Sequence, residues 1–73
     1  MYVSYHALDE LDKYNKTIDF VGEMLENGKH KLVSKRENKY EVILRIGRTI
    51  WKMIYALYEN KVVIIRIGVG ERL

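Results

Sequence analysis

YEVILRIGRTIWKMIYALYENKVVIIRI, residues 40–67, decides the fold. Residues 40–46 and 49–58 are rich in Val, Ile, Tyr and Trp, which suit a pleated, half-buried surface, and read as strands. Between them Gly47-Arg48 forms a two-residue loop, and Gly in first position marks a type II′ hairpin because it takes positive φ without a steric cost. That turn fixes a register in which Tyr40 faces Tyr55, Val42 faces Met53, Leu44 faces Trp51 and Ile46 faces Thr49. Side chains alternate along a strand, so these pairs share one largely apolar face. The opposite face carries Arg45 against Ile50, Ile43 against Lys52 and Glu41 against Ile54.

The second reversal, residues 58–61, contains no Gly and can close in two ways. A three-residue loop with Asn60 left-handed makes a bulge, sends Val63, Ile65 and Ile67 to the apolar face, and sets Ile64 beside Ile54 and Arg66 directly across from Lys52. A two-residue Glu59-Asn60 loop turns Arg66 into the core, which is costly for an unpaired guanidinium, so the first closure is preferred. Arg45, Lys52 and Arg66 then gather on one face. Like charges directly opposed cost up to roughly 1 kcal/mol. A bound anion relieves that repulsion; the alternative is that the stems lie along aliphatic surface and splay their charges into water.

A chain of 73 residues makes one domain, 1–73, and at this size buries only about 60% of its unfolded surface. With 48% hydrophobic and 32% charged residues it is globular rather than disordered. It contains no cysteine, which excludes disulfides and thiolate metal sites. Neither a long apolar run nor a basic-then-apolar leader is visible, so the expectation is a cytoplasmic protein with no membrane association. Net charge is +3, unevenly spread: residues 1–28 hold six acids and two bases, and residues 29–73 hold eleven bases and four acids. The sheet half is basic, which favours a polyanion or an acidic partner chain there. The lack of Gln and the abundance of Ile, Lys and Glu match heat-adapted usage.

Met1 to Ser4 can form a short edge strand, and Ser4 is a plausible N-cap. Ala7, Leu8, Leu11, Tyr14, Ile18, Val21, Met24 and Leu25 then recur at helical spacing. One bent helix of about 22 residues or two short helices would produce that stripe. The break at Asn15-Lys16-Thr17, with Thr17 as a fresh N-cap, favours two, and Asn27-Gly28 closes the helical part. Residues 30–36 read as a further strand with a basic cluster of Lys29, Lys31, Lys35 and Arg36, followed by a polar turn over 37–39. The fold class is α+β: an acidic N-terminal helical segment packed on a four-stranded antiparallel meander.

Motifs for chemistry are sparse. His6 and His30 lack the close spacing of a shared metal site, there is no phosphate loop, and no cofactor is called for. Asp9, Glu10 and Asp12 fall on the outer helix face. His6 can act as a general base on a ribose 2′-hydroxyl while Arg or Lys stabilises charge on the phosphate; a first-turn histidine is otherwise a surface residue.

Leu44-Arg45-Ile46-Gly47, Lys52-Met53-Ile54-Tyr55 and the run Val62-Val63-Ile64-Ile65-Arg66-Ile67-Gly68 together resemble the sheet of the RelE/ParE toxin superfamily. There an Arg-x-Gly turn leads into an Arg-Val-Ile-Tyr strand and a final Ile-Leu-Arg-Ile-Gly strand. Val3-Ser4-Tyr5-His6-Ala7-Leu8 also looks like the Ser-x-His-Ala start of small uncharacterised families thought to share that fold. The resemblance implies helices first, then a sheet whose concave face meets messenger RNA on the ribosome or, in the ParE branch, acts on gyrase, with antitoxins wrapping the toxin. Besides a shorter helical part, two departures stand out. The basic residue before the Val-Ile-Tyr run is Lys52, after a turn two residues longer, and the tail from Val69 to Leu73 has neither His nor a terminal Tyr. The reading is therefore a RelE-like toxin or degenerate relative that binds RNA through Arg45, Lys52 and Arg66, with Lys35 and Arg36 nearby. His6 or Tyr55 would be the proton-transfer group of a possible endoribonuclease. The rival reading is a non-enzymatic interaction module, as a homodimer or with an antitoxin-like partner.

Overall fold

The structure, a computed structural model, describes residues 1–70; the tail departure at Glu71 to Leu73 lies outside the described residues. Seven elements follow in order: β1 (Tyr2–Val3), α1 (Tyr5–Lys13), α2 (Ile18–Asn27), β2 (Lys29–Ser34), β3 (Lys39–Ile46), β4 (Thr49–Tyr58) and β5 (Lys61–Val69). The chain is α+β, with two helices on a five-stranded mixed sheet of order β1-β5-β4-β3-β2. Strands β2 to β5 form the expected antiparallel meander. The meander is not the whole sheet: β1 returns to pair parallel with β5, Tyr2 opposite Val63 and Val3 opposite Ile64.

Two helices form rather than one. Ser4 Oγ accepts the Ala7 N–H at 3.1 Å and caps α1, and Asn15, at φ 58, takes the left-handed turn that ends it. Thr17 starts α2 with extended backbone but makes no side-chain cap. Gly28 ends α2 for a reason other than positive φ, since its φ is −80. A Cβ there would collide with Val42 Cγ1 and stand 2.7 Å from the Met24 carbonyl, so only glycine lets α2 hand over to β2 this close to β3.

The β3–β4 hairpin has the register expected from residues 40–58, pair for pair from Tyr40 opposite Tyr55 to Ile46 opposite Thr49. Gly47, at φ 62, is the turn residue that requires it.

The β4–β5 reversal differs from the expectation. It is the two-residue loop, with Glu59 at φ 49 and Asn60 at φ 64, and Tyr58 pairs with Lys61. The extra residue is absorbed later, where Tyr55 pairs with Ile64 but Ile54 with Arg66, leaving Ile65 as a mid-strand bulge. Ile64 and Ile67, not Ile65, therefore enter the core, and Arg66 is kept out of it by the bulge rather than by the turn. Lys52 pairs with Gly68, so Arg66 lies diagonal to Lys52 instead of directly across.

Ala7 and Leu11 of α1 and Phe20, Val21 and Met24 of α2 bury against Val42, Trp51, Met53, Tyr55, Ile64 and Ile67 of the sheet. Burying each large aliphatic side chain here stabilises the fold by about 1.5–3 kcal/mol. Trp51 anchors the aromatic end of this core, edge-on to both Tyr14 and Phe20, with Lys16 laid over its ring. Both helices occupy one face of the sheet. Among the described residues, no helix is long and apolar enough to cross a membrane.

Candidate nucleic-acid interface

The face turned away from the helices follows from the registers. Whatever pairs beside Ile43, Ile50, Ile54 and Ala56 shares their side of the pleat. Lys29 and Lys31 come to it from β2, Lys39 and Arg45 from β3, Lys52 from β4, and Lys61 and Arg66 from β5. Among the described strand residues, Glu41 is the carboxylate on this face. The helices carry the opposite charge: Asp9, Glu10 and Asp12 in α1, and Asp19, Glu23 and Glu26 in α2. One face of a thin molecule is therefore basic and the other acidic, and the separation read from halves of the chain becomes a separation in space.

Arg45, Lys52 and Arg66 thus occupy three neighbouring strands. Arg45 Nε donates to the Gly47 carbonyl at 3.2 Å, which pins the guanidinium beside the turn. Arg66, on β5, reaches across the sheet edge to Glu10, Nη2 to Oε2 3.9 Å. Lys35 and Arg36 do not extend a strand as expected. They are exposed in the turn between β2 and β3, because the β2 ladder ends at Ser34.

Glu10 is where the reading of the helix faces fails. Its carboxylate is only 15% exposed, and Oε1 accepts the Ile67 N–H at 2.8 Å while lying 3.8 Å from His6 Nε2. The cause is the shortness of β1: beyond Val3 no strand among the described residues covers β5, and a carboxylate from α1 takes the edge amide in its place. His6 is exposed beside it, joined through Glu10 to Arg66.

Tyr55 is on the apolar face as expected, but it is tied up. His30 Nε2 lies 2.8 Å from the Leu25 carbonyl, which only accepts, so Nε2 carries the proton and, in the neutral ring, Nδ1 accepts the Tyr55 hydroxyl at 2.8 Å. Burial, reinforced by Tyr40 stacked at 5.2 Å, holds the Tyr55 phenol above its ordinary 10.0. Its proton stays on. Among the described residues no cluster of three His, Cys, Asp or Glu side chains is placed to hold a metal.

The fold and this face define an α+β protein with a one-sided helical layer and an uncovered basic sheet. Compared with known proteins, the chain matches no family model, no curated protein and no solved structure.

Proposed function

We propose that the protein is a RelE-like RNA-binding module that meets RNA with its uncovered sheet face, as on the ribosome. The observation that carries this reading is the seven Lys and Arg positions against the carboxylate of Glu41 on that face. Phosphates brought there release counterions, the main source of affinity for such a surface. The order of helices before the meander is also what the superfamily resemblance implies. Binding, rather than cleavage, is the function the geometry supports. Of the two proton-transfer candidates, Tyr55 is buried and donates to His30, and His6 stands at the β5 edge, away from the centre of the face.

Filter-binding titration of an RNA oligonucleotide tests it. Affinity should fall steeply between 50 and 200 mM salt, and Lys52→Ala/Arg66→Ala should make the slope of log K against log salt shallower by about 1.4. Retention and slope unchanged in that double variant would reject the face.

A second reading is favoured by one specific observation. Ile43, Ile50, Ile54, Val63 and Ile65 are half-exposed on the face, with Lys52 and Arg66 interleaved among them. Apolar area interleaved with cations fits a protein partner as well as RNA, here an acidic, antitoxin-like chain. A symmetric homodimer through this face would set the cations of two copies against each other. RNA that is not retained even at 50 mM salt leaves the acidic chain as the partner.

A further inference from the structure

A recess of about 400 Å³ opens where the end of α2 meets the sheet, lined by Asn27, Lys29, Ile43, Leu44, Arg45 and Ile50. Two glycines build it. Gly28 brings the α2 terminus against Val42, which sets Asn27 and Lys29 on one wall, and the Gly47 turn holds Arg45 on the other through Arg45 Nε to the Gly47 carbonyl. Lys29 pairs with Ile43 and Arg45 with Ile50, so these two isoleucines each have a cation beside them, while Leu44 pairs with Trp51 toward the helices. The volume falls within the range of pockets that hold small ligands.

We infer that this recess holds one unstacked nucleotide of the bound RNA, an inference that rests on the RNA-binding reading. Ile43 and Ile50, which share the uncovered side of the sheet, offer an apolar floor for the face of a base. Lys29 and the terminal amino groups of Arg45, whose Nε is already engaged, hold its phosphate as charge-assisted donors. The carboxyl end of α2 carries partial negative charge, which keeps the phosphate on the Lys29 and Arg45 side and leaves Asn27 to the base edge. The Asn27 amide both donates and accepts there, so it is the group able to discriminate between bases. A base locked in a duplex cannot enter such a recess, whereas single-stranded RNA presents bases that can be splayed out. The protein should therefore prefer single strands, although a duplex offers the denser line of phosphates.

The test compares retention of one RNA sequence as a single strand and as a duplex, alongside NMR titration with the four ribonucleoside monophosphates. Wild type should favour the single strand by about tenfold. Monophosphates should shift the amide signals of Lys29, Ile43, Arg45 and Ile50. Lys29→Ala/Arg45→Ala, at two exposed positions, should bring single strand and duplex close to equal retention. Asn27→Ala should reorder the four monophosphates while leaving the salt slope unchanged. Equal retention of both forms by wild type, or a preference that survives the Lys29 and Arg45 double change, overturns the recess. RNA binding would in that case still weaken in Lys52→Ala/Arg66→Ala. Loss of all retention in wild type instead removes the RNA-binding reading, and the recess with it.

Discussion

Tyr55 and His30 form a pair that no strand pattern announces. The hydroxyl under the helices reaches past β3 to an imidazole on the edge strand β2, which in turn donates to the end of α2, so one side-chain chain ties β4, β2 and α2 together. The raised Tyr55 pKa has a consequence for stability with a definite sign. Below about pH 10 the unfolded tyrosine keeps its proton and the native preference for the neutral phenol costs nothing to the unfolded state. As pH rises past that value the unfolded chain ionises while native Tyr55 resists, so stability falls until the native phenol also ionises. Tyr55→Phe should flatten that alkaline loss in urea denaturation curves taken across the range. At neutral pH it should cost about 1–2 kcal/mol, because His30 Nδ1 loses its donor.

At the scale of elements, the β5 strand is defended along its outer edge by two devices in series, β1 over Val63 and Ile64 and then Glu10 over Ile67. Glu10→Ala should speed hydrogen exchange of the Ile67 amide and destabilise the fold by about 1–3 kcal/mol, whereas Glu10→Gln, which still accepts that bond, should retain most of the protection. An equal exchange rate in the Ala variant would show that the carboxylate is not the amide's partner. This edge also shows what was legible in the chain. Alternation and a single Gly fixed the β3–β4 register, since a slip of one residue would have put Trp51 and Met53 into solvent. The helical stripe and Ser4 likewise marked α1 in advance. The β4–β5 register was not legible: an inserted residue can be absorbed at a turn or within a strand, and Asn60 tolerates positive φ in either closure. The need to keep Arg66 out of the core was sound, but Ile65 met it. Alternation from the Gly47 turn put Arg45 and Lys52 on one face, whereas the side taken by Arg66 depended on the β4–β5 closure. The role of Glu10 could not be read, because its partner lies 57 positions away, nor could the recess, which depends on how closely Gly28 lets α2 approach.

For the molecule as a whole, the decisive magnitude is thickness against screening. The two shorter dimensions are 22 and 21 Å, while the Debye length is about 10 Å at 0.1 M salt and about 30 Å at 0.01 M. Acids on the helices therefore oppose an approaching polyanion only in dilute salt. Neutralising Asp12, Glu23 and Glu26 together should speed RNA association in stopped-flow measurements at 10 mM salt and leave it unchanged at 150 mM, with stability altered by no more than about 0.5 kcal/mol. An acceleration persisting at 150 mM would mean that the RNA also touches the helical side. The place of β5 has a different consequence. It follows the other described strands in the chain, yet it lies between β1 and β4 and supplies Ile64 and Ile67 to the centre of the core. A nascent chain paused before Lys61 holds both helices and the residues of β1 to β4 with their apolar sides unsealed, and the core closes when β5 slides into the gap between β1 and β4.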